Sequence, residues 1–342
     1  MQIDCITWLL ICVVKSYYMP SKYQELQREK TINLINSLHP VFAGAEAGKR
    51  FLGKDRDFVL KEAEKNLYPS IMTTAVYYFR QNRISWWGGK DVTGHTLSSQ
   101  VACINHLFAI RNDLEAVTLL IKGLNPDFIR PLLIGSDKYS PGYIQFESVS
   151  DKQYLNEDGL TRGTQCTSVD ALIYAEHKDG SLWLIPIEWK FTEHYSNRNK
   201  ALEGAAADPT GCKGSVRQSR YNNLIRSSNQ LKYDNLSLFY FEPFYQLMRQ
   251  TLWAEQMVKN KDNETLKADN FLHVHVIPKD NNDLLKETGK PYKCSGLSME
   301  GTWRSLLKDQ SKYQIIDPKD LMRPLSSIPA YAGLLQYLAE RY

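Results

Sequence analysis

The sequence lacks a long apolar segment, paired cysteines and a strong excess of charge, and each absence removes a class of protein. The apolar run near the N-terminus, Cys5 to Val14, is too short for a membrane-spanning helix, which needs about 20 residues. The 6 cysteines contain no C-x-x-C pair, so neither a zinc cluster nor a secreted disulfide framework is indicated. A net charge of +4 permits an acidic partner such as nucleic acid without requiring one. These features predict a cytoplasmic enzyme without a membrane partner.

The first residues do not read as a targeting signal. The apolar run is preceded by Asp4 instead of a basic residue, and no small-residue cleavage site follows it. Met19 opens a helical pattern in which Ser21 is the expected N-cap and Glu25 lies near the first turn. We therefore expect residues 1–18 to be a non-native or disordered leader and Met19 to be the native start.

Hydrophobic spacing divides the rest of the chain into three parts. Residues 19–95 are predicted to form a helical N-terminal part, because apolar residues recur at helix spacing between the breaks at Pro40 and Pro69. Residues 96–260 are predicted to form the functional core. Residues 261–342 are predicted to add a strand and helices that pack on this core. The expected class is α/β, with a central mixed sheet flanked by helices.

A predicted hairpin between residues 169 and 189 carries the chemistry. The runs Val169 to Ala175 and Leu182 to Trp189 are apolar apart from one acid each, Asp170 and Glu188. If the loop is Lys178-Asp179-Gly180, paired residues have numbers that sum to 358, which places the two acids opposite each other. Pro186 lacks the N–H of a ladder residue and suggests a bulge that would shift this register.

Strand alternation puts Lys190 on the same face as the two acids and turns Trp189 to the other face. Cβ atoms of cross-strand neighbours lie roughly 5 Å apart, a separation that suits two carboxylates bridged by one divalent cation. Hard oxygen ligands in this number favour Mg²⁺ or Mn²⁺.

Asp170 followed by Glu188-x-Lys190 resembles the catalytic hairpin of the PD-(D/E)XK nuclease superfamily. The wider context, GTQCTSVDALIY and LIPIEWKFTEHY, is similar to a bacterial group described as restriction endonucleases. The resemblance implies a restriction-endonuclease-like core. It also implies that Asp170, Glu188 and the backbone carbonyl of Trp189 hold the metal, while Lys190 positions or activates the attacking water. Val169 stands where the superfamily has proline, at a position that varies.

Three further residues are candidates for accessory roles. Gln100 lies on a predicted helix from Leu97 to about Arg111, where superfamily members often carry an acid, and it is otherwise a surface amide. Glu147 ends a predicted strand and is either a third carboxylate or a solvent-facing side chain. Gln246 lies with Arg249 and Gln250 on an amphipathic helix that resembles the glutamine-bearing helix of recombination nucleases.

The segment from Arg198 to Lys232 has seven basic and two acidic residues, which is typical of a phosphate-contacting surface or of a solvated helix face. Its candidate DNA-binding residues are Lys213, Arg217, Arg220 and Arg226, with Tyr221 available for stacking. Trp86 and Trp87 are interpreted as core residues in preference to base-stacking ones. His273 and His275 are interpreted as surface or packing residues.

The function that these features predict is a Mg²⁺-dependent deoxyribonuclease, acting as a restriction-type or defence endonuclease. DNA is the expected partner, and a homodimer is compatible with this function. The alternatives are a non-catalytic nucleic-acid-binding module derived from a nuclease, a DNA repair or recombination nuclease, and a purely structural or interaction domain.

Overall fold

A computed structural model describes residues 21–135, 141–159, 162, 166–195, 199–203, 213–234, 236–286 and 295–342. The predicted leader lies outside these residues. At the centre is a mixed sheet of seven strands: β3 (Phe128–Leu132), β4 (Ile144–Ser148), β5 (Val169–His177), β6 (Leu182–Trp189), β7 (Asn270–Phe271), β8 (His273–Val276) and β9 (Tyr313–Ile316). Two further strands, β1 (Ala47–Phe51) and β2 (Lys54–Leu60), form a separate antiparallel hairpin.

The predicted hairpin register is confirmed. Pairs from Ala171 with Ile187 to Glu176 with Leu182 all have numbers that sum to 358. The reversal at residues 178–180 uses Gly180 with φ 82°, which glycine adopts without steric cost. The predicted bulge at Pro186 is wrong, because the ladder passes through Leu172 and Pro186 without a shift.

Pro186 is tolerated because its missing N–H would point toward β7 and β8, on the side of β6 away from β5. Even-numbered β6 residues direct their backbone N–H and C=O groups toward β7 and β8. For example, the N–H of Leu272 donates to the carbonyl of Leu184 at 2.9 Å. Leu272 is also the point at which β7 ends and β8 begins. The donor that proline lacks is therefore missing where the neighbouring strand is already interrupted.

The sheet combines both strand directions. β5 pairs antiparallel with β6 on one side and with β3 and β4, end to end, on the other. β6 pairs parallel with β7 and β8, and β8 pairs parallel with β9. The C-terminal part, for which one strand is predicted, thus contributes β7, β8 and β9 to the sheet that contains the hairpin.

Helices cover both faces of the sheet, as predicted for a restriction-endonuclease-like core. They are α1 (Lys22–Asn36), α2 (Met72–Gln81), α3 (Ser99–Leu107), α4 (Leu114–Leu124), α5 (Lys213–Ser227), α6 (Phe244–Lys259), α7 (Asn282–Leu285), α8 (Met299–Ser305), α9 (Pro318–Met322) and α10 (Ala332–Arg341). Ser21 caps α1 by accepting from the N–H of Gln24 at 3.0 Å, as predicted. Within the described residues, none of the helices is long and apolar enough to cross a membrane.

Two apolar clusters lie on opposite faces of the sheet. Odd-numbered hairpin residues such as Ile173 and Ile185 pack in a cluster with α2, α3, α4 and α10. Even-numbered residues such as Leu172 and Leu184 pack in a cluster with α5, α6 and α8. Asp170, Glu188 and Lys190 follow the even alternation, so strand geometry places them on the α6 side.

The N-terminal part is not wholly helical, which corrects the sequence prediction. Residues 47–60 form the β1–β2 hairpin, although Phe58 and Leu60 were assigned helical spacing. Phe58, Val59 and Leu60 are all buried, and three consecutive apolar residues are compatible with either period. Leu52 and Gly53, with φ of 49° and 78°, form a two-residue hairpin turn, so the flanking residues form strands and not a helix.

Candidate active site

The site forms where the β5–β6 ladder opens. The last backbone pair is Ala171 with Ile187, and beyond it the N–H of Trp189 donates to Oδ2 of Asp170 at 2.7 Å. The Asp170 side chain thus accepts the hydrogen bond that a backbone carbonyl of β5 would accept if the ladder continued. The N–H and C=O of one strand residue point to the same side, so the Trp189 carbonyl is directed to the same opening.

Glu188 and Lys190 are buried together beneath α6. Both side chains are nearly inaccessible, and the Lys190 ammonium contacts the Glu188 carboxylate directly. The same ammonium donates to Oε1 of Gln246, and the amide of Gln250 donates to the other Glu188 oxygen. Because 246 and 250 are four residues apart on one helix, they lie on one face and reach the strand as a pair.

Glu147 extends the acids into a row across three neighbouring strands. The pairs Phe146 with Ala171 and Ser148 with Val169 place Glu147 opposite Asp170. Glu147 has φ 49°, in the left-handed region that is unfavourable for a side-chain-bearing residue. Its carboxylate accepts from Gln100 Nε2 at 2.6 Å and from Ser168 Oγ at 2.9 Å.

The charges in this row perturb one another. Burial raises the pKa of Asp170 well above its usual range, and the carboxylates of Glu188 and Glu147 raise it further. Burial likewise raises the pKa of Glu147, against the opposing hydrogen bonds from Gln100 and Ser168. Burial alone would lower the pKa of Lys190, but the charge of Glu188, together with Tyr195, Glu193 and Asp170, outweighs burial, so the pKa lies well above its usual range.

The row opens into a cleft of about 940 Å3. Its floor contains Glu147, Asp170, Glu188 and Lys190, and one wall carries Gln246 from α6. A cleft of this size admits an extended polymer strand or a large ligand to buried carboxylates.

Comparison with known proteins adds one match. A family model described as "Restriction Endonuclease associating with ARP" matches residues 28–342. The chain belongs to this family. No curated protein and no solved structure matches it. Membership connects the chain with restriction endonucleases, so a nuclease-related role and DNA as the substrate are implied for the chain.

For a member of this family, the basic residues of α5 are of particular interest, and the structure separates them. Lys213, Arg217 and Arg220 follow at helical spacing on one face, and Arg217 lines the cleft. Arg226 is exposed and lies about half a helical turn away from Arg217. Arg217 contacts Glu203, and Arg220 contacts Asp158. Within the predicted set, Arg217 is therefore the residue that lines the cleft of the candidate site.

Tyr221 is not available for stacking, which corrects the sequence interpretation. It is 1% exposed, and its hydroxyl donates to Glu157 at 2.6 Å. Arg249 also donates to Glu157, at 3.1 Å, and to Thr167 Oγ1 at 3.0 Å. This buried network ties α5 and α6 to the segment that leads into Asp170.

The two histidines of β8 are buried packing residues. His273 Nε2 lies 3.1 Å from Oε1 of Gln250, the glutamine whose amide holds Glu188. His275 Nδ1 lies 3.0 Å from the hydroxyl of Tyr313. His273 therefore contacts the glutamine that holds Glu188. This role could not be predicted from sequence, because no motif links His273 to α6.

The donor set fits a hard divalent cation. Within the part of the chain that the structure describes, no group of three or more His, Cys, Asp or Glu side chains is gathered closely enough to hold a metal ion. Mg²⁺ is commonly bound through one or two carboxylates, with water and phosphate oxygens completing its shell. Asp170 and Glu188 supply such a pair. Burial first, and then the charges of Glu188 and Glu147, raise the pKa of Asp170, so a cation would favour its ionised form.

Proposed function

We propose that the protein is a metal-dependent nuclease of the PD-(D/E)XK type that hydrolyses DNA phosphodiester bonds as a restriction-type or defence endonuclease. The observation that carries this proposal is the convergence of Asp170, Glu188 and Lys190 at the open end of the β5–β6 ladder, inside the cleft. The family match supports it independently.

Asp170, Glu188 and the carbonyl of Trp189 are the proposed ligands of Mg²⁺ or Mn²⁺. Such an ion, when bound, supplies Lewis acidity toward a phosphate oxygen and lowers the pKa of a coordinated water. The carboxylate of Asp170 is held in place by the Trp189 N–H, and one oxygen of Glu188 is held by Gln250. Both carboxylates are therefore oriented before a substrate arrives.

Lys190 is proposed to act on the phosphate and the attacking water through its charge. Its raised pKa favours the ammonium form, which can donate hydrogen bonds and stabilise negative charge. Gln246 accepts one of the three donors and fixes the direction of the others. A neutral lysine would be needed for proton abstraction, so this arrangement favours positioning over general-base action.

Gln100 and Glu147 are proposed to act as accessory groups. Glu147 lies beside Asp170 in the row and is restrained by two donors, Gln100 and Ser168. A carboxylate in this position can orient water at the site or complete the shell of a bound ion.

The test is cleavage of mixed-sequence plasmid DNA with Mg²⁺, with Mn²⁺ and with a chelator, by wild type and Asp170→Ala. We expect divalent-ion-dependent cleavage that the variant lacks, with circular dichroism showing that the variant is folded. Cleavage that persists in the chelator, or in Asp170→Ala at the wild-type rate, would contradict the proposal. DNA binding by the wild type without cleavage under any of these conditions would favour the non-catalytic alternative.

A further inference from the structure

The turn of the β1–β2 hairpin contains Leu52, an apolar residue that is neither favoured by the turn geometry nor buried in the core. Leu52 and Gly53 connect the paired residues Phe51 and Lys54, and both have positive φ, 49° and 78°. Turns of this kind favour Asn-Gly, because a branched apolar side chain is strained in the left-handed region. Leu52 is also 82% exposed.

Trp87 is presented in a similar way a short distance from this turn. It lies in a tight reversal between Trp86 and Gly89, whose N–H donates to the Trp86 carbonyl at 3.1 Å. Trp86 is 4% exposed and stacks on Phe79 with ring centroids 4.0 Å apart, whereas Trp87 is 47% exposed. The buried neighbour anchors the reversal, and Trp87 projects from it.

Leu52 and Trp87 belong to one surface, and that surface lines the cleft of the candidate active site. The ring of Phe51 lies 5.6 Å from that of Trp87, which joins the hairpin to the reversal. The N–H of Trp87 donates to Oε1 of Gln100 at 2.7 Å, and Gln100 donates to Glu147. Gln100 therefore connects the residue that bears the exposed ring to the row of carboxylates.

The hairpin is also polarised in charge. The register pairs Lys49 with Arg56 and Phe51 with Lys54, so these three basic side chains share the face of Phe51. Arg50, Asp55 and Asp57 alternate to the other face, where Arg50 pairs with Asp55, so the formal charges of the two faces are +3 and −1. Lys49 and Arg56 are directly opposite each other, and this like-charged pair would be relieved by a polyanion.

We propose that Leu52 and Trp87 form a wall of the cleft that contacts unstacked bases of the DNA substrate, while Lys49, Lys54 and Arg56 take the adjoining phosphates. The inference rests on the proposed function, because it assigns the substrate of the same cleft. An exposed aromatic ring beside cationic side chains is the chemistry that binds bases away from a regular duplex. An aliphatic side chain at a hairpin tip can separate stacked bases in the same way.

The test compares Leu52→Asn and Trp87→Ala with wild type on two DNA duplexes of one sequence, one fully paired and one with a central unpaired bubble. Binding is measured with Ca²⁺ in place of Mg²⁺, and 2-aminopurine in the bubble reports base stacking. The matched control is Leu38→Asn, since Leu38 is 78% exposed with φ 55° and does not line the cleft. Asparagine tolerates positive φ, so both Asn variants should melt at the wild-type temperature or above it.

We expect Leu52→Asn and Trp87→Ala to bind the bubble duplex roughly 5- to 100-fold more weakly, with a smaller loss on the paired duplex. Wild type should quench 2-aminopurine, and Trp87→Ala should quench it less. Leu38→Asn should bind like wild type. If Trp87→Ala fails to fold, Leu52→Asn alone decides.

The outcomes separate this inference from the proposed function. Wild-type affinity for both duplexes in Leu52→Asn and in folded Trp87→Ala overturns the inference, even where wild type cleaves DNA. Binding that depends on Leu52 without cleavage by wild type upholds the inference and contradicts the nuclease proposal. Failure of wild type to bind either duplex overturns both.

Discussion

Both faces of the β5–β6 hairpin pack against apolar clusters, but only one of them carries charged side chains where the ladder opens. Toward α3, the side chains of Ile173, Ile187 and Trp189 are buried in an apolar cluster. Toward α6, Glu188 and Lys190 are equally buried but are charged, and amide side chains of α6 hold them. Burying an ion pair costs desolvation energy that an apolar pair would avoid, so the polar face is arranged for chemistry at the expense of stability.

We expect the largest effect when an acid of the site, Asp170, is replaced, in comparison with Glu176, an acid on the same strand and face. Asp170→Ala should lower single-turnover cleavage by about 10³-fold and weaken Mn²⁺ binding in calorimetry, because it removes a proposed ligand. Glu176→Ala is the matched control, since Glu176 is an even-numbered β5 residue outside the cleft that pairs with Arg130. We expect the control to change cleavage less than about twofold, as for an ordinary surface ion pair. Equal behaviour of the two variants would remove the assignment of Asp170.

A substitution on the apolar face should lower the stability of the fold and leave the cleavage rate unchanged. Ile173→Ala removes a fully buried side chain and should lower the free energy of unfolding by about 2–5 kcal/mol in urea titrations. At a temperature where the variant is folded, its single-turnover rate should match that of wild type. A loss of rate comparable to that of Asp170→Ala would show that the two faces are not separable.

The two faces should also differ in the sign of their pH dependence. Burial lowers the pKa of His106, on the apolar side, to about 4, against the opposing hydrogen bond to Ala102. Its folded pKa is below the unfolded value of about 6.5, so its contribution is present above pH 6.5 and is lost as the pH falls toward 4, by about 3 kcal/mol.

His106→Gln should therefore flatten the acid side of the curve of unfolding free energy against pH. Asp170 has a raised folded pKa, so its contribution has the opposite sign and declines as pH rises above the unfolded carboxyl value of about 3.9. Asp170→Asn should remove that decline. An unchanged acid limb in His106→Gln would assign the slope to other groups.

Lys190 should affect rate more than metal binding. Lys190→Met removes the ammonium that contacts Glu188, so cleavage should fall by about 10²-fold while Mn²⁺ affinity is retained or increased. Gln246→Leu frees the ammonium from its amide partner and should lower cleavage by a smaller factor. Weaker Mn²⁺ binding in Lys190→Met would show instead that the lysine helps to assemble the metal site.

The smallest expected effect distinguishes two arginines of α5. Arg217 lines the cleft and Arg226 does not, so only Arg217→Gln should reduce the slope of log affinity against log salt, by about 0.9 for duplex DNA. Fluorescence anisotropy at several salt concentrations measures both. Equal slopes for Arg226→Gln and Arg217→Gln would mean that the whole helix faces the substrate.

The hairpin and its register could be predicted from sequence alone. Strand alternation and a glycine-containing loop are local properties, so they placed Asp170 opposite Glu188 and turned Trp189 away without knowledge of the fold. The same local logic misassigned residues 47–60, where consecutive apolar residues agree with both helix and strand periods. It also predicted a bulge at Pro186, because a single strand does not show that its neighbour is interrupted at Leu272.

The distant side chains that complete the site could not be predicted from sequence, because folding brings them together. Gln246 and Gln250 reach Lys190 and Glu188 across more than 50 residues of chain, and Gln100 reaches Glu147 across 47. The same is true of Leu52 and Trp87, which sequence treated as helix and core and which packing brings to the mouth of the cleft. Contacts of this kind depend on how helices cross the sheet, and that is set by the packing of whole faces, which no spacing within one segment encodes.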